Sequence, residues 1–156
     1  MLKQIVLGTV FMAFGFGAAA ANEDPLKSEL EAFVITVDES GEEVRTEGEG
    51  VNPGDIVEYT LSYENTSEMP LAGLVISAPV PVATEFVAAS NVTVQTAAFE
   101  VSIDDGATWA APPLMIKTEA GETEIDASEY DLVRWLPSDA ISGGEVWDFT
   151  YRVTVE

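Results

Sequence analysis

One stretch of the sequence, residues 51–67 (VNPGDIVEYTLSYENTS), constrains the fold more than any other. It opens with the turn formers NPGD, in which proline fixes φ and glycine supplies a positive φ. From Ile56 onward, apolar and aromatic residues alternate with polar ones, which is the two-residue period of a half-buried strand. The apolar face consists of Val57, Tyr59, Leu61 and Tyr63. The stretch therefore predicts a turn, a long strand and a second turn.

The rest of the chain repeats this pattern in shorter segments separated by proline and glycine. Further strands are predicted at residues 29–37, 42–46, 71–78, 84–88, 91–96, 98–103, 114–117, 130–136 and 145–155. Residues 38–41 (DESG) predict a hairpin turn, and the acidic residues 119–128 predict a loop. Residues 79–82 contain two prolines, which exclude a central strand because each proline lacks a ladder donor.

Two of these strands differ in how clearly they show a core face. The last strand has one apolar face, made of Trp147, Phe149, Tyr151, Val153 and Val155. The first strand leaves two sets open for the inward face: Leu30, Ala32 and Val34, or Phe33, Ile35 and Val37. Many short strands without a helical period predict an all-β, immunoglobulin-like β-sandwich, with a barrel as the alternative.

The first 21 residues have the features of a secretory signal peptide. Lys3 precedes an apolar run, which ends in small residues that allow cleavage after Ala20 or Ala21. A retained membrane anchor is the alternative. We predict a signal peptide at residues 1–21, a mobile leader at 22–28 and a single sandwich domain at 29–156. The predicted location is the periplasm, the cell surface or the extracellular space, with no membrane span after cleavage.

The composition excludes several classes of function. The chain has 28 acidic residues against 6 basic ones, a net charge of −22, and neither histidine nor cysteine. Such a surface repels nucleic acid and anionic lipid. Serine and cysteine hydrolase triads that use histidine are excluded, as are the usual zinc sites. A pair of carboxylates for glycoside hydrolysis stays open, but no pair is marked by its surroundings, so we predict no enzyme and no catalytic residue.

Several short motifs between residues 51 and 135 resemble those of a known family. The letters VNPGD at residues 51–55, VEYTL at 57–61 and YENT at 63–66 resemble the signature of a conserved bacterial surface-protein module, domain of unknown function number eleven. LAGLVI at 71–76, TEFV at 84–87 and YDLVRW at 130–135 are similar to later parts of it. Ala78 departs from the aspartate usual there. The resemblance implies an immunoglobulin-like structural or adhesive extracellular module without catalysis.

Residues 102–109 (SIDDGATW) fit the Asp-box pattern, which stabilises a hairpin. The residues that fit the pattern are Ser102, Asp104, Gly106, Thr108 and Trp109. The aspartate is expected to accept backbone N–H bonds, and the glycine to take a positive φ. A structural turn is the main interpretation, and a carbohydrate or cation contact is the alternative.

Acidic and aromatic residues supply the candidates for ligand binding. The weak candidates for calcium are Asp104, Asp105, Glu122, Glu124, Asp126, Glu129 and Asp131, and calcium is the one cofactor considered. An ordinary solvated acidic surface is the alternative. Trp109, Trp135 and Trp147 are either core residues or a platform for stacking sugars. Arg134 and Arg152 are expected to form ion pairs.

These observations predict an exported, non-catalytic structural or adhesion module of the bacterial cell surface or extracellular matrix. Its partner is a protein, a second copy of itself in a filament, or a surface glycan. Filaments would form by strand exchange through the first strand, with Phe33, Val34, Ile35 and Val37 as the exchanging residues. The alternatives are pairing of that strand within its own domain, and a periplasmic or secreted domain that binds glycan or calcium.

Overall fold

The computed structural model describes residues 24–47 and 50–156, and this part of the chain is almost entirely β. The predicted signal peptide and the first two residues of the predicted leader lie outside the described residues. The elements are β1 (Leu26–Val37), β2 (Glu43–Thr46), β3 (Ile56–Asn65), β4 (Ile76–Pro79), β5 (Thr84–Phe86), β6 (Ala97–Ser102), β7 (Met115–Thr118), β8 (Gly121–Glu124), a 3-10 helix (Ala127–Glu129), β9 (Leu132–Pro137) and β10 (Val146–Val155). A helix long and apolar enough to span a membrane is not found among the described residues.

The strands form two main antiparallel sheets and a separate hairpin. One sheet has five strands in the order β2-β1-β3-β10-β5, and the other has three in the order β4-β9-β6. Strands β7 and β8 pair with each other. Strand β3 comes from the stretch 51–67 and lies at the centre of the larger sheet, between β1 and β10. Its entry turn is tied to the end of β10 by a 2.7 Å hydrogen bond from the Gly54 N–H to the Val155 carbonyl.

The two sheets pack face to face around an aromatic core. Trp135 of the smaller sheet contacts Phe149 and Tyr151 of the larger one, with ring centroids 5.6 and 6.2 Å apart. Tyr59 stacks on Tyr151 at 5.3 Å. Aromatic pairs at these separations add to the burial of their apolar area. The prediction of an all-β sandwich is therefore confirmed.

The strand faces match the predicted alternation with one ambiguity resolved. All five residues assigned to the core face of β10 are buried. In β1 the set of Leu30, Ala32 and Val34 lies on the core side, because Ala32 is opposite Tyr59 and Val34 is opposite Val57. Strand β1 begins at Leu26, so part of the predicted leader pairs with β3.

Three predicted segments were wrong in their extent. Residues 91–96 form one bridge, Val92 to Thr150, because Val94 faces solvent and adds nothing to the core. Residues 71–75 likewise make one bridge, from Leu71 to Ile141, before β4 begins. The predicted loop at 119–128 contains β8 and the start of the 3-10 helix. Because every residue of β7 and β8 is exposed, no apolar alternation marks β8 in the sequence.

Candidate functional site

The first candidate site is the open edge of β1. Strand β3 pairs with β1 along ten residues, from Leu26 opposite Asn65 to Ile35 opposite Ile56. On its other side β1 pairs with β2 at residues 34–37. Residues 26–33, which we call the open edge, have no neighbouring strand on that side within the described part of the chain. An unpaired edge of this length is a template for another strand.

Alternate residues of the open edge direct their backbone groups outward. In antiparallel pairing, the N–H and C=O groups of successive residues point to opposite sides of the strand. The Pro25 carbonyl accepts from the Thr66 N–H at 2.8 Å, so residue 25 points toward the chain that continues β3. By alternation, Ser28, Leu30 and Ala32 direct their N–H and C=O groups to the open edge. The next such residues along, at positions 34 and 36, meet β2.

The inner face of β1 is also poorly covered. Leu30 is 50% exposed, although it lies directly opposite Leu61, which is 7% exposed. The β1 side chains are all half-buried or exposed. The smaller sheet packs on β10, as the contacts of Trp135 show, and the inner face of β3 is buried as well. Strand β1 lies at the margin of the core, where Leu26 and Ala32 pack against it and are partly buried. Strand β1 is therefore held mainly by its hydrogen bonds to β3.

A cluster of charges on the outer face ties β2 to the rest of the sheet. Glu58 of β3 is 4% exposed and contacts Arg45 of β2 and the Arg152 Nε of β10, the latter at 2.8 Å. Arg152 also donates two hydrogen bonds to Glu43 of β2, at 3.0 and 2.8 Å. The hydrogen bonds that Arg152 donates to Glu43 and then to Glu58 raise the pKa of Arg152, and the hydrogen bond from Arg152 lowers the pKa of Glu43. We call these four residues the ion clamp.

The four residues predicted to exchange strands lie at the other end of β1. Val34, Ile35 and Val37 are already paired with β2, and Phe33 is the last residue of the open edge. The open edge and the residues predicted to exchange therefore overlap only at Phe33, and strand exchange through these four residues stays a prediction.

The Asp-box residues come together in the turn that follows β6. The Asp104 carboxylate accepts from the Thr108 N–H at 2.8 Å, the Thr108 hydroxyl at 2.7 Å and the Ser102 hydroxyl at 2.9 Å. The Trp109 Nε1 completes the turn by donating to the Gly106 carbonyl at 2.9 Å, and Gly106 has a φ of 82°. These bonds, chiefly those from Thr108, lower the pKa of Asp104. Both carboxylate oxygens are used inside the turn.

The seven calcium candidates are spread over the turn after β6, strand β8, the 3-10 helix with its cap, and the link before β9. Asp104 and Asp105 are in the turn, Glu122 and Glu124 lie on the exposed strand β8, and Asp126 caps the 3-10 helix that contains Glu129. Asp131 accepts from the Asp105 N–H at 2.7 Å. Across residues 24–47 and 50–156, no three such side chains form a group able to hold a metal ion.

Of the two interpretations of the tryptophans, the core one is confirmed for Trp135 and Trp147, and the platform was wrong. Trp135 and Trp147 are 1% and 2% exposed because β9 and β10 direct them into the core. Trp109 is half-buried, and the Arg134 guanidinium lies 4.2 Å from its ring centroid. Arg134 also pairs with Glu100, so the predicted ion pairs of both arginines are confirmed.

A pocket of about 490 Å³ opens between the end of β5, strand β6 and the chain before β7. Its lining includes the aromatic rings of Phe86, Phe99 and Tyr130 together with the polar residues Asn91 and Glu124. Sequence reasoning missed this pocket because its lining comes from five separate segments with no shared motif.

Two buried polar residues were also missed. Alternation along residues 56–64 puts Glu58 on the polar face of the predicted strand, yet its side chain is buried because Arg45 and Arg152 cover it. Asn65, in the turn letters NTS, is fully buried. Its amide donates to the Met69 and Ile141 carbonyls at 2.7 and 2.9 Å, which joins the two turns at this end of the sandwich.

Comparison with models of protein families, with curated proteins and with solved structures finds no match for this chain.

Proposed function

We propose that this protein is an exported, non-catalytic structural or adhesion module of the bacterial cell surface or extracellular matrix, with an immunoglobulin-like sandwich of the surface-module type. It binds another protein, including a second copy of itself, by adding a β-strand at the open edge. The observation that carries this proposal is the open edge itself: eight residues of a long strand, paired on one side and poorly buried.

Comparison with the other edge strands also supports a role of the open edge in binding another chain. The remaining edge strands of the two main sheets span between three and six residues, and one of them ends in a proline. Short edges and prolines discourage pairing with other chains. The open edge lacks a proline after Pro25 and contains the half-exposed Leu30. It is thus the surface of the described chain best suited to accept a strand.

Self-assembly through β1 can follow two routes. In strand exchange, β1 leaves its own β3 and pairs with β3 of a neighbour. In edge addition, β1 stays in place and a neighbour pairs with its open side. Exchange has to break the ten-residue pairing with β3 and, where β2 moves too, the ion clamp. Edge addition breaks neither.

The test uses the chain from Asn22, examined by light scattering after size exclusion and by electron microscopy. We expect dimers or filaments, and a strictly monomeric protein up to millimolar concentration would overturn self-assembly. The variant E31C/T60C separates the routes, because these residues are directly opposite in β1 and β3 and their disulfide locks β1 in place. Assembly that survives the lock favours edge addition, and E31A/T60A is the matched control.

A second candidate function, glycan binding, is favoured by the pocket. Aromatic rings that line a pocket together with an amide and a carboxylate are a common arrangement in small-molecule sites. A glycan array with and without calcium tests this candidate and the calcium role together. Binding that is lost in N91A, with unchanged melting temperature, would favour the pocket. Absence of any glycan signal, with no calcium-induced shift in melting, would remove it.

A further inference from the structure

We infer that a second copy of this chain pairs with the open edge as an antiparallel β1, in the register that places Ser28 opposite Ser28 of the second copy. Such pairing joins two five-stranded sheets into one continuous sheet about a two-fold axis. The inference rests on the proposed function, since it takes the open edge as the contact surface, and it adds the partner and the register.

Backbone direction limits the registers to a few. Ser28, Leu30 and Ala32 direct their N–H and C=O groups outward, so two identical edges must bring even-numbered residues opposite even-numbered ones. The axis then passes through residue 28, 29 or 30 for pairing within the open edge. Pro25 does not interfere, because its backbone points toward β3 and its missing N–H is not needed at the outer side.

The position of β2 limits the ladder but does not by itself select an axis. Strand β2 occupies the edge from Val34 onward, so a second copy can pair no further than residue 33. At the other end, β1 begins at Leu26 after a bend at Pro25, and the Leu26 N–H donates to the Asp24 carboxylate. Within residues 26–33 the hydrogen-bonded pairs number about three with the axis at 28, four with the axis at 29 and three with the axis at 30. The ladders are thus of similar length, and the side-chain charges have to select the register.

Side-chain charges select the axis at 28. With that axis, Lys27 is opposite Glu29 of the second copy, twice by symmetry, and Leu26 is opposite Leu30. With the axis at 29, Lys27 is opposite Glu31 twice, but Glu29 also faces Glu29 of the second copy, and with the axis at 30 Glu29 faces Glu31 twice. Opposite charges across a strand pair are favourable and like charges are unfavourable. The axis at 28 is therefore the one register of the three in which no like charges are opposite.

The absence of cysteine from the chain allows a clean cross-linking test. Three single-cysteine variants, S28C, E29C and L30C, are oxidised mildly in 1 M NaCl, where the Debye length of about 3 Å weakens the repulsion between the acidic copies. Directly opposite residues have Cα atoms about 5.5 Å apart, within disulfide range. We expect most of S28C to become covalent dimer, and E29C and L30C to reach less than about a fifth of that yield.

A charge exchange tests the register independently in 0.15 M NaCl. We expect K27E and E29K each to weaken dimerisation about five-fold to tenfold, and the double variant K27E/E29K, which has the original net charge, to restore it within about two-fold. S28P should abolish dimerisation by removing the outward N–H, whereas S28A, which keeps that N–H, should not. Circular dichroism of each variant checks that the fold is intact.

The outcomes separate this inference from the function on which it rests. Association with cross-linking at residue 29 or 30 instead of 28 overturns the register and leaves the proposed function standing. Association that S28P does not affect overturns the second copy at the open edge. Failure of the unmodified chain to associate at all, in either salt, overturns self-assembly itself.

Discussion

Strands β1 and β10 both flank β3, both run antiparallel to it and both are long, yet their surroundings differ. The inner face of β10 is at most 5% exposed at every position from Trp147 to Val155, whereas Leu30 on the inner face of β1 is 50% exposed. The cause is the smaller sheet, which covers β10 and β3 and stops short of β1. Two strands with the same kind of pairing therefore have different roles: β10 contributes its inner face to the core, and β1 has an unpaired edge.

The largest difference between the two strands should appear on truncation of an inner-face residue. Phe149→Ala removes a fully buried ring and should lower the free energy of unfolding by about 3–5 kcal/mol. Leu30→Ala on β1 should cost less than about 1 kcal/mol, because half of that side chain already meets water. Denaturant unfolding of both variants measures this. Similar losses at the two positions would contradict the comparison.

A buried amide at the end of β3 gives the second largest effect. Asn65→Ala removes the two hydrogen bonds donated to the Met69 and Ile141 carbonyls and the acceptor of the Ser67 N–H and hydroxyl, so we expect a loss of about 2–3 kcal/mol in the free energy of unfolding. Thr66→Val, one residue further and exposed, is the control and should cost less. If Asn65→Ala melts like the unmodified protein, the two turns are not joined as described.

How far the sequence foretells these differences depends on where their causes lie. Alternation within residues 145–155 is local, so the core face of β10 could be predicted from the sequence. The Asp-box turn could be predicted for the same reason. The exposure of β1 could not be predicted, because it depends on which strands the other sheet covers. The burial of Glu58 was hidden too, since Arg152 lies far along the chain and approaches it through strand pairing.

The ion clamp should contribute less to the free energy of unfolding than a core residue does, and more than an ordinary surface ion pair. Glu58→Gln keeps the shape of the side chain but leaves Arg45 and Arg152 without a buried carboxylate. We expect a loss of about 1–2 kcal/mol, below that for a fully buried pair because both arginines are partly exposed. Glu100→Gln, which removes the partner of Arg134, is the matched control. A larger loss for Glu100→Gln would reverse the order of importance of the two arginine sites.

The clamp also predicts a small dependence of stability on pH. Glu43 has a pKa below its ordinary value of 4.5 because Arg152 donates to it. The stabilisation is complete above pH 4.5 and is lost as pH falls through the lowered pKa of the folded state. Glu43→Gln should therefore flatten the fall in melting temperature between neutral and strongly acidic pH. Parallel curves for the variant and the unmodified chain would contradict the role given to Glu43.

The smallest of these effects is expected at the Asp-box turn. Asp104→Ala removes the acceptor for Ser102 and Thr108, so the melting temperature should fall measurably while the sheets stay intact. Asp105→Asn is the control, since asparagine tolerates the φ of 54° at this position. An equal response from both variants would mean that the carboxylate of Asp104 does not brace the turn.

The proposed function depends most on one property of β1, which is paired on one side and free along residues 26–33 on the other. Residue-resolved amide hydrogen exchange by nuclear magnetic resonance tests this directly in a dilute monomer and in concentrated protein. We predict that the amides of Ser28, Leu30 and Ala32 exchange fast when dilute and become protected when concentrated, while those of Lys27, Glu29 and Glu31 are protected in both. Protection of all six amides in the dilute monomer would show that the edge is already occupied and would contradict the account.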